Sequence, residues 1–366
     1  MIKLIKILLI IVITIVLIAG VFVGVLTIYE YRPKAIEDVD VENNQTDVVS
    51  LNESLKIMTF NIGYAGLGED EDFVMDGGKS GRPESKTVVS NYLTGIKNIL
   101  LENPSDFYLL QEVDLKARRS YEINQLEDIS TELGSSFSSQ FAYNFKALFV
   151  PFPISFTDYI GYVESGLSSF SSYHVSTSTR YQFPGEFSWP LRVANLKRAM
   201  MVSELDIESS DKKLMIVNLH MSAYDGDGSL REAEMAFLKE FMEEQDALGN
   251  YVVIGGDFNQ TFPEAVDIYS EIEGLYQAFP IEENYLPTNY SFMIDINHPS
   301  CRLLNQPYDP NSNMTQYYII DGFIVSSNIE ILPYNETLTE ARAYTLNYDF
   351  MYSDHNPVVM NFRLIP

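Results

Sequence analysis

The chain has 366 residues, a single cysteine (Cys301) and a formal net charge of −27, with 51 acidic residues against 24 basic ones. One cysteine rules out an intrachain disulfide scaffold, and so large a negative surplus argues against a surface that binds polyanions through its overall charge. A local basic groove remains compatible with it.

The first segment is not globular in composition. No residue from Ile7 to Tyr29 is charged, and Ile, Leu and Val dominate. As a helix this run is about 34 Å long, enough for a bilayer core of ~30 Å. A cleaved signal peptide usually has a shorter apolar region of ~7–15 residues ending in an A-x-A-like site. Gly20, Gly24 and Thr27 make a poor match to that site, so the segment reads as an uncleaved single-pass membrane anchor, residues 1–34 with its flanks. Lys3 and Lys6 stand on one side and Arg32 and Lys34 on the other, which nearly balances the positive-inside rule. The free amino terminus and the acidic turn at Glu37, Asp38 and Asp40 lean toward an extracytoplasmic position for the rest of the chain.

Residues 35–54 are polar and acidic without periodicity, the pattern of a tether. Residues 55–366 then form the remaining domain. Four of the basic residues and one acidic residue lie in 1–34, leaving 20 and 50 over the rest, a formal charge of −30.

Within that domain, short apolar runs predict buried strands at Leu55–Asn61, Phe107–Glu112, Leu214–His220, Tyr251–Asp257, Tyr318–Val325 and Pro357–Leu364. Between them, Glu84–Leu101 carries Val88, Tyr92, Ile96, Ile99 and Leu100 at helical spacing and is followed by Pro104. Ser229–Leu248 opens with Ser229 and Glu232 as a capping box and stops at Gly249. Strands alternating with helices predict an α/β domain.

The strand ends share one kind of chemistry. Asn61 ends the first strand, Glu112 sits in LLQEVD, and His220 ends IVNLH. Asp257 and Asn259 sit in GGDFN, Asp321 in YIIDGF, and Asp354 and His355 in YSDHNP before the last strand. Each polar group emerges from an apolar run and is aimed at one edge of a sheet. Singly, an acid after a strand is most often a turn residue. Together, carboxylates, carboxamides and two histidines are what a hard cation and an attacked phosphate require.

In that order, NIGYAG, LLQEVD, NLH, GGDFN, IIDGF and SDHNPV resemble the endonuclease/exonuclease/phosphatase (DNase I-like) superfamily, over roughly Leu55 to Leu364. The resemblance implies two packed mixed β-sheets flanked by helices, and hydrolysis of a phosphate ester by in-line attack of water. It implies Mg²⁺, with Mn²⁺ as a possible substitute. Glu112 would be the principal metal carboxylate, with Asn61 and Asp354 nearby. Asp257 and Asn259 would bind metal or the scissile phosphate and align the water. His355 would take a proton, held in tautomer by Asp321, and His220 would be the second imidazole. Two weaker matches are to DNase I itself: Glu164, two residues after Tyr162, would orient His220, and Arg198 would contact phosphate. The alternative for both is ordinary strand and rim residues.

Phe141–Tyr162 holds eight aromatic residues, with Pro151 and Pro153 forbidding one continuous helix. Tyr181–Trp189 is a second aromatic stretch. Either these pack as structured loops or they form an apolar lip beside the site, suited to lipid headgroups. His174 and His298 lie outside the ordered motifs and read as structural. The Gly-rich Asp76–Pro83 lacks the spacing of a phosphate loop.

Three functions compete. A membrane-anchored phosphoesterase acting on a lipid or small phosphodiester is favoured by the anchor, the aromatic stretches and the charge. A surface nuclease is favoured by Tyr162, Glu164 and Arg198. A catalytically inactive binding protein is disfavoured by the completeness of the set. No protein partner is implied.

Overall fold

The structure is a computed structural model and describes residues 2–366. The strands in chain order are β1 (Ile36–Asp38), β2 (Val41–Glu42), β3 (Leu55–Asn61), β4 (Phe107–Ala117), β5 (Ser138–Val150) and β6 (Gly161–Ser171). They continue with β7 (Thr177–Gln182), β8 (Ala199–Asp206), β9 (Lys213–His220), β10 (Tyr251–Asp257), β11 (Tyr290–Met293) and β12 (Cys301–Arg302). The last are β13 (Tyr317–Tyr318), β14 (Asp321–Ser326), β15 (Ile329–Leu332), β16 (Tyr344–Thr345) and β17 (Val358–Leu364). Four α-helices accompany them: α1 (Ile2–Ile28), α2 (Lys86–Glu102), α3 (Gln125–Leu133) and α4 (Ser229–Leu248).

Two mixed sheets pack face to face. One runs β1-β7-β8-β9-β10-β14-β11 and the other β15-β17-β3-β4-β6-β5-β2. The central strands are apolar along their whole length because both faces are covered. Between the sheets lie Ile57, Leu109, Ile216, Val253, Phe323 and Met360. The outer face of the first sheet packs on Met235, Leu238 and Met242 of α4. The outer face of the second packs on Val89, Leu93 and Ile96 of α2 and Ile129 of α3.

Two strand pairs set the position of the site. β9 and β10 are parallel with His220 opposite Asp257, and β10 and β14 are antiparallel with Asp257 opposite Asp321. Three strand ends therefore deliver a histidine and two aspartates at one level. Gly256 has φ +151 and is packed on Leu219, so that an added Cβ would collide with the Leu219 carbonyl oxygen. Only glycine lets β10 approach β9 closely enough for that alignment. In the second sheet β3 and β4 are parallel, and the register of β4 against β6 shifts between Leu110 and Val113. Glu112 falls in that bulge, with φ +57.

The sheets are riveted beneath the site by two polar residues from the strand motifs. Gln111 Nε2 donates to Asn218 Oδ1 at 2.8 Å, and Asn218 Nδ2 donates to the Leu110 and Ser168 carbonyls at 3.1 and 3.0 Å. Both side chains are fully buried.

Several sequence expectations are revised in detail. The predicted strand Tyr318–Val325 is two strands, β13 and β14, separated at Ile319 and Ile320. The predicted strand Phe107–Glu112 runs on through its bulge to Ala117. The helix expected over Glu84–Leu101 spans Lys86–Glu102, capped by the Ser85 side chain, which accepts from Val88 N. The expected capping box at Ser229 does not form. Gly228 occupies the cap with φ +77, and Asp225 Oδ2 instead accepts from Leu230 N and Arg231 N. The aspartate is better placed because the preceding turn folds back under the first helical amides.

The segment 35–54 departs furthest from a free tether. β1 pairs with β7 on one sheet, and β2 pairs with β5 on the other. Val49 is fully buried between the sheets. Unpaired edge strands recruit polar backbone whatever the side chains, so the acidic composition hides two edge strands. Before it, Lys3–Ile28 of α1 is long and apolar enough to cross a membrane, with mean hydropathy 3.2, and its most apolar window is unburied by the domain.

Candidate active site

One cavity of about 730 Å³ opens along the edge where the two sheets end. Its lining includes Asn61 and Glu112 from β3 and β4, and His220, Asp257 and Asn259 from and just beyond β9 and β10. Asp354 and His355 come from the turn before β17, and Arg198 from the turn before β8. Asp321 stands behind His355, buried, with Oδ2 at 2.8 Å from Nδ1. Nine of the ten candidate residues are thus brought together.

Glu164 is not. On β6 the side chains alternate, so Val163 and Ser165 face inward and Glu164 faces out. It meets Lys146 Nζ at 3.5 Å and the Tyr143 hydroxyl at 3.4 Å, and Ser165 lines the cavity in its place. His220 Nδ1 is buried with no hydrogen-bond partner among the described residues. The expectation that Glu164 orients His220 is therefore corrected by the parity of the strand. Tyr162 shares that outward face and donates to Glu122. His174 and His298 lie apart from the cavity, the first on the Gln45 carbonyl and the second on Asp295.

Asp257 is the hub. Its Oδ2 accepts from Asn61 Nδ2 at 3.0 Å and lies 3.4 Å from His220 Nε2 and 3.8 Å from His355 Nε2. Its Oδ1 accepts from the backbone N–H of Asn259 at 2.8 Å. Asn259 has φ +51 and donates its carboxamide to the Met221 carbonyl at 2.8 Å. Its carbonyl oxygen is thereby oriented by its own donor end. Asn61 Oδ1 accepts from Gly63 N at 3.0 Å.

The electrostatics follow from burial and crowding. Burial, then the neighbouring Asp321, pushes the Asp257 carboxyl up to about 6, against the opposing charge of His355. Burial raises Asp354 to about 7, with Glu112 adding to it and His355 and Arg302 opposing. Burial also works against charge on His355, yet Asp321 above all, with Cys301, Asp354 and Asp257, holds its proton affinity well above the usual value. His220 goes the other way: burial, Arg198, His355 and Arg119 keep it neutral. The two histidines thus have opposed proton affinities a few ångströms from one carboxylate.

The donor set suits a hard divalent cation. Glu112, Asn61, Asp257, Asn259 and Asp354 all offer oxygen, and two of the carboxyls bind protons near neutrality, chiefly because they are buried and secondarily because other carboxylates crowd them. Asp257, Asp321 and His355 form one cluster with donor atoms within 4.8 Å of one another, and Cys301, Asp354 and His355 form another. Cys301 lies behind the site with its thiol proton held by burial.

Three cations with no strand-end motif also belong to the cavity. Arg119 makes a two-pronged pair with Asp114, at 2.9 and 3.2 Å, lies 3.9 Å from Glu112, and stacks 3.7 Å over the Tyr64 ring. Arg302 donates to the Gly68 carbonyl at 2.8 Å. Arg198 is half-buried, and its enclosed Nη1 has no partner among the described residues. An unpaired guanidinium in a cleft is an anion-binding group. The last aspartate of LLQEVD, which is Asp114, was the available signal for Arg119; nothing local marks Arg302.

No protein-family model and no curated protein matches the chain. Solved structures do. It is similar to an endonuclease/exonuclease/phosphatase from Beutenbergia cavernae, at 15% identity over 86% of this chain and 72% of that one, with a TM-score of 0.57. It is similar to another from Bacteroides vulgatus, at 14% identity over 86% and 100%, with a TM-score of 0.52. The human Nocturnin catalytic domain with bound sulfate aligns at 15% identity over 89% and 97%, with a TM-score of 0.50. The two-sheet sandwich is the endonuclease/exonuclease/phosphatase, or DNase I-like, fold of these structures.

Proposed function

We propose that this protein is a membrane-anchored hydrolase of phosphate esters that depends on a divalent cation, with Mg²⁺ first and Mn²⁺ as substitute, and with its catalytic domain outside the cytoplasm. The observation that carries this reading is the convergence of five oxygen donors, two histidines of opposed proton affinity and the unpaired Arg198 on one cavity. Completeness of that set supports catalysis over an inactive binding role.

Glu112, Asn61 and Asp354 would hold the cation, with Asp257 and Asn259 completing the site toward the substrate. When bound, the cation offsets charge on the phosphoryl and leaving oxygens. Arg198 binds a phosphate oxygen. Asp257 and Asn259 align the attacking water opposite the leaving group. His355 takes the proton of that water through Nε2, because Asp321 fixes Nδ1. With Asp354 and Asp257 neutralised, His355 loses the two lesser of the charges that raise its proton affinity, which eases release of the proton it sheds before accepting another. His220, neutral, donates to the phosphate or the leaving oxygen.

The full-length protein should hydrolyse bis-p-nitrophenyl phosphate in Mg²⁺, lose the activity in EDTA and regain it on adding Mg²⁺ or Mn²⁺. Glu112→Gln should lower kcat by about 10²–10⁴ with the fold intact by circular dichroism. Full activity in EDTA or in the variant rejects the mechanism, and cleavage of plasmid DNA in preference to small diesters moves the assignment to a nuclease.

A further inference from the structure

The catalytic cavity has a second half that contains no catalytic group. One of its walls is the end of α1, through Phe22, Val23 and Leu26. These residues belong to the membrane-length segment Lys3–Ile28. Facing them are Phe152 and Ile154 from the β5–β6 loop and Val193 from the segment before β8. The apolar half and the half holding His220, Asp354 and His355 are one continuous space. Its volume falls inside the range of ~300–1,000 Å³ usual for ligand sites.

The docking of α1 is specific. Phe22 meets Phe149 edge to face at 5.8 Å, and Trp189 Nε1 donates to Thr27 Oγ1 at 3.1 Å. Glu30, whose side chain is buried, pairs with Lys197 at 3.0 Å and Arg192 at 3.4 Å. Leu26 is consequently 5% exposed although most of the segment before it lies open. Around the mouth, Ile154 and Phe156 are fully exposed, and Leu191 and Trp189 more than half so. Clustered apolar side chains of this kind mark a contact with lipid or a partner, and a bilayer-length helix forming the adjoining wall selects lipid.

We propose that α1 is a wall of the substrate cavity as well as an anchor, and that the substrate is a phosphate ester carrying a long hydrocarbon chain, taken laterally from the bilayer that holds α1. This rests on the hydrolase reading above. The phosphate sits at Arg198 and the carboxylates, and the chain lies along Phe22, Leu26, Phe152 and Val193. A chain drawn from a bilayer into a polar cleft would be exposed to water; an apolar passage continuous with the membrane removes that cost.

The experiment uses full-length protein in nanodiscs of zwitterionic phospholipid with Mg²⁺, offered p-nitrophenyl alkyl phosphates from butyl to hexadecyl. Wild type should favour hexadecyl over butyl by about tenfold or more in kcat/KM. Val193→Trp, which fills the chain half, should shrink that ratio, and Val193→Phe serves if the tryptophan variant does not fold. Trp189 is the only tryptophan, so wild-type fluorescence gives a readout independent of catalysis: nanodiscs of chain-brominated phospholipid should quench it. Hydrolysis indifferent to chain length, with bis-p-nitrophenyl phosphate still cleaved, overturns this inference and leaves the hydrolase standing. Absence of Trp189 quenching overturns the bilayer-facing mouth. No cleavage of any diester in Mg²⁺ or Mn²⁺ overturns both readings.

Discussion

Asp321 and His355 act through a single 2.8 Å hydrogen bond between buried atoms, so neither should be separable from the other. His355→Ala should lower kcat by about 10²–10⁴. Asp321→Asn should lower it by much of the same factor, because the amide no longer selects the tautomer. The double variant should be little worse than His355→Ala alone; losses that multiply would show two independent roles. Glu234 of α4 makes a second residue-scale case. It accepts from Ser222 N and Oγ at 2.8 and 2.6 Å, and burial lifts it to about 7. A carboxyl that binds its proton more tightly folded than unfolded stabilises the fold at low pH, and that contribution fades as pH rises from its usual 4.5 through about 7. Glu234→Gln should therefore gain melting temperature over the parent between pH 5 and 8, by a margin worth on the order of 2–3 kcal/mol at the upper end. An offset constant with pH would show that the carboxyl is already ionised.

At the scale of elements, the rivet between the sheets is the feature most open to test. Asn218→Leu would take its side-chain donor from the Leu110 and Ser168 carbonyls in a dry core, and one of three acceptors from Gln111 Nε2. Each such group costs ~1–3 kcal/mol, so a loss of about 3 kcal/mol in chemical denaturation is expected; a loss below ~1 kcal/mol would mean the sheets are held by apolar packing alone. The same elements show what a sequence reading reaches. β3, β9 and β10 were legible because both of their faces are buried and their runs are uniformly apolar, and their terminal Asn61, His220 and Asp257 were legible with them. β5 and β6 were not, since their mixed aromatic, serine and small residues make no uniform apolar run and two register shifts break the alternation. β1 and β2 were hidden in an acidic stretch because their pairing is set by the distant strands β7 and β5. Glu164 was misplaced because a motif gives spacing along the chain but not the face of the strand. Arg302 was missed because it reaches the cavity from a segment whose course no local pattern encodes, and Arg119 because its pairing with Asp114 is a contact and not a motif.

For the whole molecule, the balance of charge around α1 leaves sidedness to be settled by accessibility. An epitope tag after Pro366 should be lost when protease is added to intact cells; protection until the cells are lysed would place the domain in the cytoplasm. The joint between helix and domain then has a consequence for rate laws. α1 is clasped through Phe22 and Thr27, and through Glu30 just past its end, and the chain beyond is paired into both sheets from Ile36 to Glu42. On the proposed function, no slack separates anchor from catalyst, so the domain would not sample the surrounding medium as a body on a flexible leash does. For any substrate dissolved in the same bilayer, the search is confined to a plane. Turnover would follow the mole fraction of substrate in the surface and its lateral diffusion, and would fall when inert lipid dilutes that surface at constant bulk concentration.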